Sequence, residues 1–300
     1  MSLEQLDICF FCELKTYLMY GTLIGITAPI SWSLIPLLTY YLKHLDPLLV
    51  MALVFFMFFA IEFIRQLLVR KLVNPMKIPA RFYLYGIIGI FGFHIFYFSA
   101  LRLAPIMPVY LIINSTSIFI IIYSKILHNI EIRPNHKLAF LINFLAICLI
   151  GFSKASEAFE MHHLIGYAMA LLAANCMAFY TVKNRDFMDV PVRKVSYVIL
   201  ISGFLALLCY LGFNDSYITY ISITDIQLLL LLAIWPIGYS FFSWVYGVKY
   251  GDIRVLSIIA LINPVFGSIW LIVAGIEDFS WIVIISLGLI LFGSLIARSK

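Results

Sequence analysis

The sequence predicts an all-α polytopic membrane protein, and three observations lead to this prediction. The 300 residues are 64% hydrophobic and only 12% charged, with a mean hydropathy of +1.05. Soluble domains are about half apolar and a quarter charged, so this composition excludes a soluble fold. Apolar runs long enough to cross a hydrocarbon layer of about 30 Å occur ten times, and positive charges fall in alternate gaps between them.

The ten apolar runs, numbered here as segments 1 to 10, are predicted to be transmembrane helices. They are apolar all round, whereas barrel strands alternate apolar and polar positions, and a helix satisfies its own backbone groups in lipid. Segments 1 to 5 are Leu18–Tyr41, Pro47–Ile64, Phe82–Leu101, Ile106–Leu127 and Leu138–Phe152. Segments 6 to 10 are Leu164–Val182, Val195–Phe213, Leu228–Val248, Ile253–Ile276 and Trp281–Ala297.

The distribution of Lys and Arg predicts the orientation. If the N-terminus lies inside, the inner gaps hold 17 of the 20 positive residues and the outer gaps hold only Lys43, Arg102 and Lys154. Cytoplasmic loops carry the excess of Lys and Arg, so both termini are expected to be cytoplasmic in a cell inner membrane. The net charge of +5 therefore reflects topology, and no nucleic-acid partner is expected.

An internal duplication is predicted from the number of segments. Ten spans divide into five plus five, and an odd number in each half requires the second copy to enter the membrane from the opposite side. The predicted repeats cover residues 16–153 and 164–298 of a single membrane domain, 1–300. In each half the fourth segment is interrupted by polar residues, at Asn114–Ser117 and at Asn263-Pro264.

Segment 1 combines two prolines with a polar stretch. Pro29 and Pro36 each remove a backbone donor, which leaves carbonyls that need a partner or a water-filled cavity. The nearby polar and amphipathic residues are Thr27, Ser31, Trp32 and Ser33. Polar side chains in a bilayer normally face the bundle interior, so Ser31 and Trp32 are candidate substrate-binding residues. The alternative is a kinked helix with local Ser and Thr hydrogen bonds.

Segment 2 contains Glu62 near its inner end, where Arg65 can pair with it at i+3. No Asp or Glu occurs in the middle of any segment. Carriers coupled to Na⁺ or protons commonly use a buried carboxylate, so facilitated export or exchange is the simpler expectation.

Segment 3 carries His94 with Tyr97 on the same helical face, and both are candidate substrate-binding residues. Histidine is the side chain whose ordinary pKa lies near neutral pH. Two interpretations remain open for His94: a contact to substrate or proton, or a neutral ring bonded to a backbone carbonyl.

Segments 4, 6 and 9 contribute amide side chains, which are further candidates for binding a solute. The candidates are Asn114, Asn175, Tyr180, Asn263 and Pro264. Pro264 removes an amide donor and exposes the carbonyl one turn earlier, which leaves a polar notch in an apolar span. Hydrogen bonds between helices are the competing explanation for the three asparagines.

Segment 8 is rich in aromatic residues. Trp235 and Tyr239 share one helical face, whereas Trp244 lies on another. Tyr239 and Trp244 are candidate substrate-binding residues, although aromatic residues on helices more often serve packing.

Glycines at helical spacing predict close approach between helix backbones. The pairs are Gly21 with Gly25 and Gly247 with Gly251, and segment 3 holds Gly86, Gly89 and Gly92.

Three motifs in the second half carry a resemblance to a known family. They are Trp244–Asp252 (WVYGVKYGD), Asn263–Ser268 (NPVFGS) followed by Glu277, and Ala178–Val182 (AFYTV). They resemble the drug/metabolite transporter superfamily in its EamA-type branch, and within it the bacterial aromatic amino-acid exporters are the most similar group. The resemblance implies a ten-helix carrier with a central cavity lined by helices 1, 3, 4, 6, 8 and 9, working by alternating access.

The first half departs from the pattern of that family. Members often carry an Arg early in the second helix, where this chain has Leu53–Phe55, and a Pro in the fourth helix, where it has Asn114–Ser117. Inference about the substrate therefore depends on the second half.

Other function classes find little support in the sequence. The C-x-x-C of Cys9 and Cys12 has no second pair, so neither a metal nor a cofactor is expected. No phosphate-binding loop or H-E-x-x-H motif is present, and an intramembrane enzyme would have to use His94 with a Ser of segment 4.

The leading hypothesis is therefore a carrier, not an enzyme, that exports or exchanges amino acids, aromatic or amphipathic. The alternative is an uptake carrier for a nucleotide-derived or quaternary-ammonium metabolite. The expected partners are a small-molecule substrate and the lipid bilayer, and the sequence leaves open a monomer or a homodimer.

Overall fold

The computed structural model describes residues 3–70, 74–104, 109, 112–154, 163–213, 220–276, 278–279 and 281–298, with side chains at most positions from residue 18 onward. These residues form helices and short connections, with no strand among them. The prediction of an all-α protein is confirmed.

Seven helices within the described ranges are long and apolar enough to cross a membrane. They are Leu18–Tyr41, Pro47–Leu68, Ala80–Leu103, Leu164–Phe187, Val192–Phe213, Ile223–Tyr250 and Ile253–Val273. These helices correspond to segments 1, 2, 3, 6, 7, 8 and 9. Segments 4, 5 and 10 are helical over Ile112–His128, Pro134–Lys154 and Trp281–Arg298. The first helix differs from the prediction in that it continues back to Leu3.

The helices pack in pairs that join the two halves of the chain. Segment 1 packs against segment 8, segment 3 against segment 6, segment 2 against segment 7, and segment 5 against segment 10. If segments 1 to 5 are exchanged with segments 6 to 10 in the same order, the same four pairs result. The packing therefore has the internal symmetry of two similar halves.

Irregular turns also occur at equivalent places in the two halves. Segment 3 contains a π-helical stretch at Ile87–Phe91, and segment 8 contains one at Ala233–Tyr239. Pro236 lies inside the second stretch and lacks the N–H that a regular α-helix needs there. Single π turns within α-helices are frequent at functional sites.

The helices of segments 1 and 9 change their winding beside Pro36 and Pro264, whereas Pro29 lies within an unbroken helix. The helix of segment 1 is interrupted at Ser33–Leu34 and resumes at Ile35–Tyr41, with Pro36 in its first turn. Segment 9 passes through a 3-10 turn at Ala260–Ile262 immediately before Asn263-Pro264. In both cases the proline cannot donate to the carbonyl one turn earlier, so the helix changes its winding.

Glycines allow the closest helix contacts, as predicted. A Cβ atom on Gly247 would lie 2.5 Å from the Cα atom of Gly25, and one on Gly89 would overlap the Cβ atom of Tyr180. The first contact joins segments 1 and 8, and the second joins segments 3 and 6. These positions therefore have no space for any larger residue unless a helix moves.

The ion pair predicted in segment 2 is present. The Arg65 guanidinium donates to both oxygens of the Glu62 carboxylate, at 2.6 and 2.7 Å. Gln66 Nε2 donates to the same carboxylate at 3.1 Å, which satisfies the buried Glu62.

Candidate functional site

Aromatic rings of segments 1 and 8 meet at the interface between the two halves. The ring centroid of Trp32 lies 5.4 Å from that of Trp244 and 5.9 Å from that of Phe241. Trp244 is only 3% exposed, and its indole Nε1 donates to Thr181 Oγ1 of segment 6 at 3.2 Å. We name Trp32, Phe241, Trp244 and Thr181 the aromatic cluster. It brings two predicted site residues, Trp32 and Trp244, into direct contact.

Two further hydrogen bonds cross between the halves at equivalent places. Trp270 Nε1 of segment 9 donates to Ser33 Oγ of segment 1 at 3.0 Å, and the Tyr123 hydroxyl of segment 4 donates to Asn175 Oδ1 of segment 6 at 2.8 Å. Sequence reasoning missed Tyr123 and Trp270. The signal available was an aromatic residue with an N–H or O–H inside an apolar segment, where the polar atom needs a partner.

Asn175 also bonds within its own helix, since its Nδ2 donates to Leu171 O at 2.8 Å. The competing explanation for the asparagines, an interhelical hydrogen bond, therefore describes the contact between Asn175 and Tyr123. Its binding role remains a prediction.

His94 and Tyr97 lie in a second group of rings on segment 3. His94 Nδ1 lies 2.7 Å from Ile90 O, and a carbonyl only accepts, so Nδ1 carries the proton. The imidazole meets Phe55 and Phe93 edge to face, at 5.3 and 5.0 Å, and Tyr97 stacks on Phe93 at 5.7 Å. This geometry is the one expected for a ring bonded to a backbone carbonyl, and it leaves Nε2 as the nitrogen that could meet a solute.

Asn263 presents a buried polar atom, Oδ1, without a hydrogen bond in the described part of the chain. The Tyr180 ring is 2% exposed and packs on Gly89. Asn263 follows the 3-10 turn of segment 9, so its unpaired oxygen lies at the predicted notch. The side chain of Pro264 lies outside the described residues.

The remaining candidates lie in different surroundings. Ser31 is buried, Asn114 directly precedes the turn at Ser115, and Tyr239 is 45% exposed with its hydroxyl 3.0 Å from Thr27 Oγ1. Tyr239 shares its exposed face with Trp235, as predicted, with ring centroids 6.0 Å apart. The candidates therefore occupy several places on the helices and do not form a single contact group.

Thr181→Val is expected to lower the free energy of unfolding by about 1 to 3 kcal/mol, because the buried Trp244 N–H loses its acceptor. The measurement is thermal unfolding in detergent. Thr39→Val is the matched control, since the Thr39 hydroxyl bonds, within the described ranges, to carbonyls of its own helix alone. Equal shifts for the two variants would contradict the assigned role of Thr181.

The long apolar helices define a multi-pass helical membrane protein. Comparison with known proteins makes this specific. The EamA-like transporter family model matches residues 19–152 and again residues 164–299, and the chain belongs to this family. It is therefore a small-molecule membrane transporter and not an enzyme.

Two individual proteins are similar along nearly the whole chain. The aromatic amino acid exporter YddG of Ancylobacter novellus is 31% identical over 278 residues, which covers 92% of this chain and 96% of that protein. A solved crystal structure with 30% sequence identity superposes with a TM-score of 0.87, covering 93% of this chain and 96% of that one.

Proposed function

We propose that this protein exports or exchanges amino acids, aromatic or amphipathic, across the cell inner membrane by alternating access. The observation that carries the proposal is the 31% identity to an aromatic amino acid exporter over nearly the full length of both chains. Nearly every part of that exporter therefore has a counterpart in this chain.

The proposed topology is ten membrane spans in two inverted repeats of five, covering residues 16–153 and 164–298, with both termini cytoplasmic. Two observations support it. The family model matches twice, once in each half, and the helix pairs are unchanged when the halves are exchanged. The excess of Lys and Arg in alternate gaps supports the orientation.

The proposed binding residues are the eleven candidates named from the sequence. The strongest support is chemical. Trp32 offers a ring surface beside Trp244, suited to the apolar part of a solute. Asn263 Oδ1, which has no hydrogen bond among the described residues, is an acceptor suited to an ammonium group. A ring and an ammonium group are the two ends of an aromatic amino acid.

Counterflow in proteoliposomes tests the proposal. Vesicles preloaded with unlabelled phenylalanine are expected to accumulate external labelled phenylalanine, tyrosine and tryptophan transiently, without an imposed ion gradient, whereas vesicles without protein are not. Absence of counterflow for all three solutes would contradict the proposal, and counterflow of a quaternary-ammonium solute in their place would favour a different substrate. Flux that depends on pH and is abolished in His94→Ala would show proton coupling in place of simple exchange.

A further inference from the structure

We propose that polar residues at the inner ends of segments 4, 6 and 9 form a latch that closes the cytoplasmic side and opens in each transport cycle. The inner latch is defined as His128, Glu131, Asp186, Asp252 and Arg254. The inference rests on the proposed function in two respects, since it takes alternating access and the cytoplasmic orientation of these helix ends as given.

The inner latch joins the two halves of the chain through segment 4. Arg254 Nη1 of segment 9 donates to the backbone carbonyl of Glu131 at 3.2 Å, just beyond the end of segment 4. His128 Nε2 lies 3.2 Å from Asp186 Oδ1 and 3.3 Å from Val182 O, at the end of segment 6. Both contacts connect a residue of the first half with one of the second half, so a movement that separates these inner helix ends must break them.

Asp252 fixes the guanidinium that makes the first of these contacts. Arg254 Nε and Nη2 donate to the two Asp252 oxygens at 2.9 and 2.7 Å, and Asp252 Oδ1 also accepts from Arg254 N at the start of the helix. Burial alone would raise the pKa of the Asp252 carboxyl, but the hydrogen bonds from Arg254 outweigh it and lower the pKa. The carboxylate therefore stays charged at neutral pH and keeps Arg254 directed toward Glu131.

The second contact is held from its other side by a lysine. Lys183 Nζ lies 2.7 Å from Asp186 Oδ2, so Asp186 accepts from two residues at once. Both oxygens near His128 Nε2 only accept, which places the proton of the neutral ring on Nε2.

The inner latch is suited to opening because its groups remain partly exposed. The side chains of Arg254 and Asp252 are 26% and 17% exposed, and those of His128 and Asp186 are 24% and 30% exposed. Partly exposed ion pairs contribute little net free energy, since water replaces the lost partner. The contacts can therefore select the closed state without preventing its opening.

A buried hydroxyl lies directly behind the inner latch. Ser124 is one helical turn before His128 and on the same face, and it is 2% exposed. Its hydroxyl has no hydrogen-bond partner within the described ranges. Opening of the inner end would admit water to this group, so Ser124 is a natural reporter position.

Thiol labelling tests the latch without any substrate. Ser124→Cys is introduced into a variant in which the five native cysteines are replaced, and a membrane-impermeant maleimide is added to inside-out vesicles. Adding Arg254→Gln is expected to raise the labelling rate about fivefold, which corresponds to about 1 kcal/mol in the equilibrium between closed and open states. His128→Gln should act in the same direction.

Lys137→Gln is the matched control, because it removes an exposed positive charge from the same end of the bundle. If Arg254→Gln fails to accumulate in the membrane, His128→Gln carries the test. Labelling rates equal to that of the control, in protein that still performs counterflow, would overturn the latch. Faster labelling in protein that shows no counterflow would support the latch and count against the proposed function instead.

Discussion

Gly247→Ala is expected to lower the free energy of unfolding by about 3 kcal/mol, at the upper end of the usual cost of overpacking. The added Cβ atom would lie 2.5 Å from Gly25 Cα and 3.1 Å from Gly25 N. These neighbours are backbone atoms, which cannot rotate away as a side chain can, so segments 1 and 8 must separate. Their separation would also disturb the contact between Trp32 and Trp244. The measurement is the thermal midpoint of the purified protein in detergent.

Gly288→Ala provides a control of opposite sign. Gly288 lies within the helix Trp281–Arg298, and a Cβ atom there would meet nothing within 4 Å. Alanine is favoured over glycine in a helix by about 1 kcal/mol, so this variant should be at least as stable as the parent. A Gly247→Ala protein as stable as Gly288→Ala would show that the two helices are not in the contact described.

Asn263→Ala is expected to reduce counterflow about tenfold while leaving thermal stability nearly unchanged. The fold makes no hydrogen bond to Asn263 Oδ1 within the described residues, so removing this oxygen costs the folded state little. A charged solute that donates to it would lose a bond of roughly 1.5 to 3 kcal/mol, which corresponds to at least tenfold in affinity. The measurement is the counterflow rate per folded molecule, with the solute concentration varied.

Asn143→Ala is the matched comparison, because Asn143 has a structural bond instead. Its Nδ2 donates to Ile258 O at 3.3 Å, and its side chain occupies the space left by Gly293. This variant should lose stability and keep its counterflow rate per folded molecule. The reverse pattern, with Asn263→Ala unstable and fully active, would exclude Asn263 from solute binding.

Much of the fold follows from the sequence because the bilayer imposes simple rules. Apolar length identifies helices: seven predicted segments correspond to helices long enough to cross a membrane, and segments 4, 5 and 10 are helical over Ile112–His128, Pro134–Lys154 and Trp281–Arg298. Proline placement predicted an irregular helix in segment 1 and a polar notch in segment 9, and glycine spacing predicted that segments 1 and 8 each approach another helix closely. Each of these depends on properties local to one helix, so each could be read without knowing its neighbours.

The site was harder to predict from the sequence, because a polar residue in an apolar segment can either bind a solute or form a hydrogen bond to another helix. Asn175 proved to bond to Tyr123, whereas Asn263 Oδ1 has no such partner among the described residues. Nothing in either local sequence distinguishes them. The difference depends on whether an aromatic donor from another helix lies within reach.

Lys249 shows the same limit for charge. In the sequence it is one of 17 positive residues of the inner gaps, yet the structure buries it to 3% exposure, with Nζ donating to the carbonyls of Phe187 and Val190 at 2.5 and 2.6 Å. The charge count predicts on which side of the membrane a loop lies. It does not show which positively charged side chain donates to the backbone of another loop.

The sequence by itself determined the class of protein, the helices and the expected orientation, because hydrophobic length and charge act along the chain at short range. The tertiary structure alone decided which aromatic rings meet, which amides are paired and which ends of the halves are joined. Those contacts connect residues far apart in the chain, for example Ser33 with Trp270 and His128 with Asp186. Only the packing of the helices brings such residues within bonding distance.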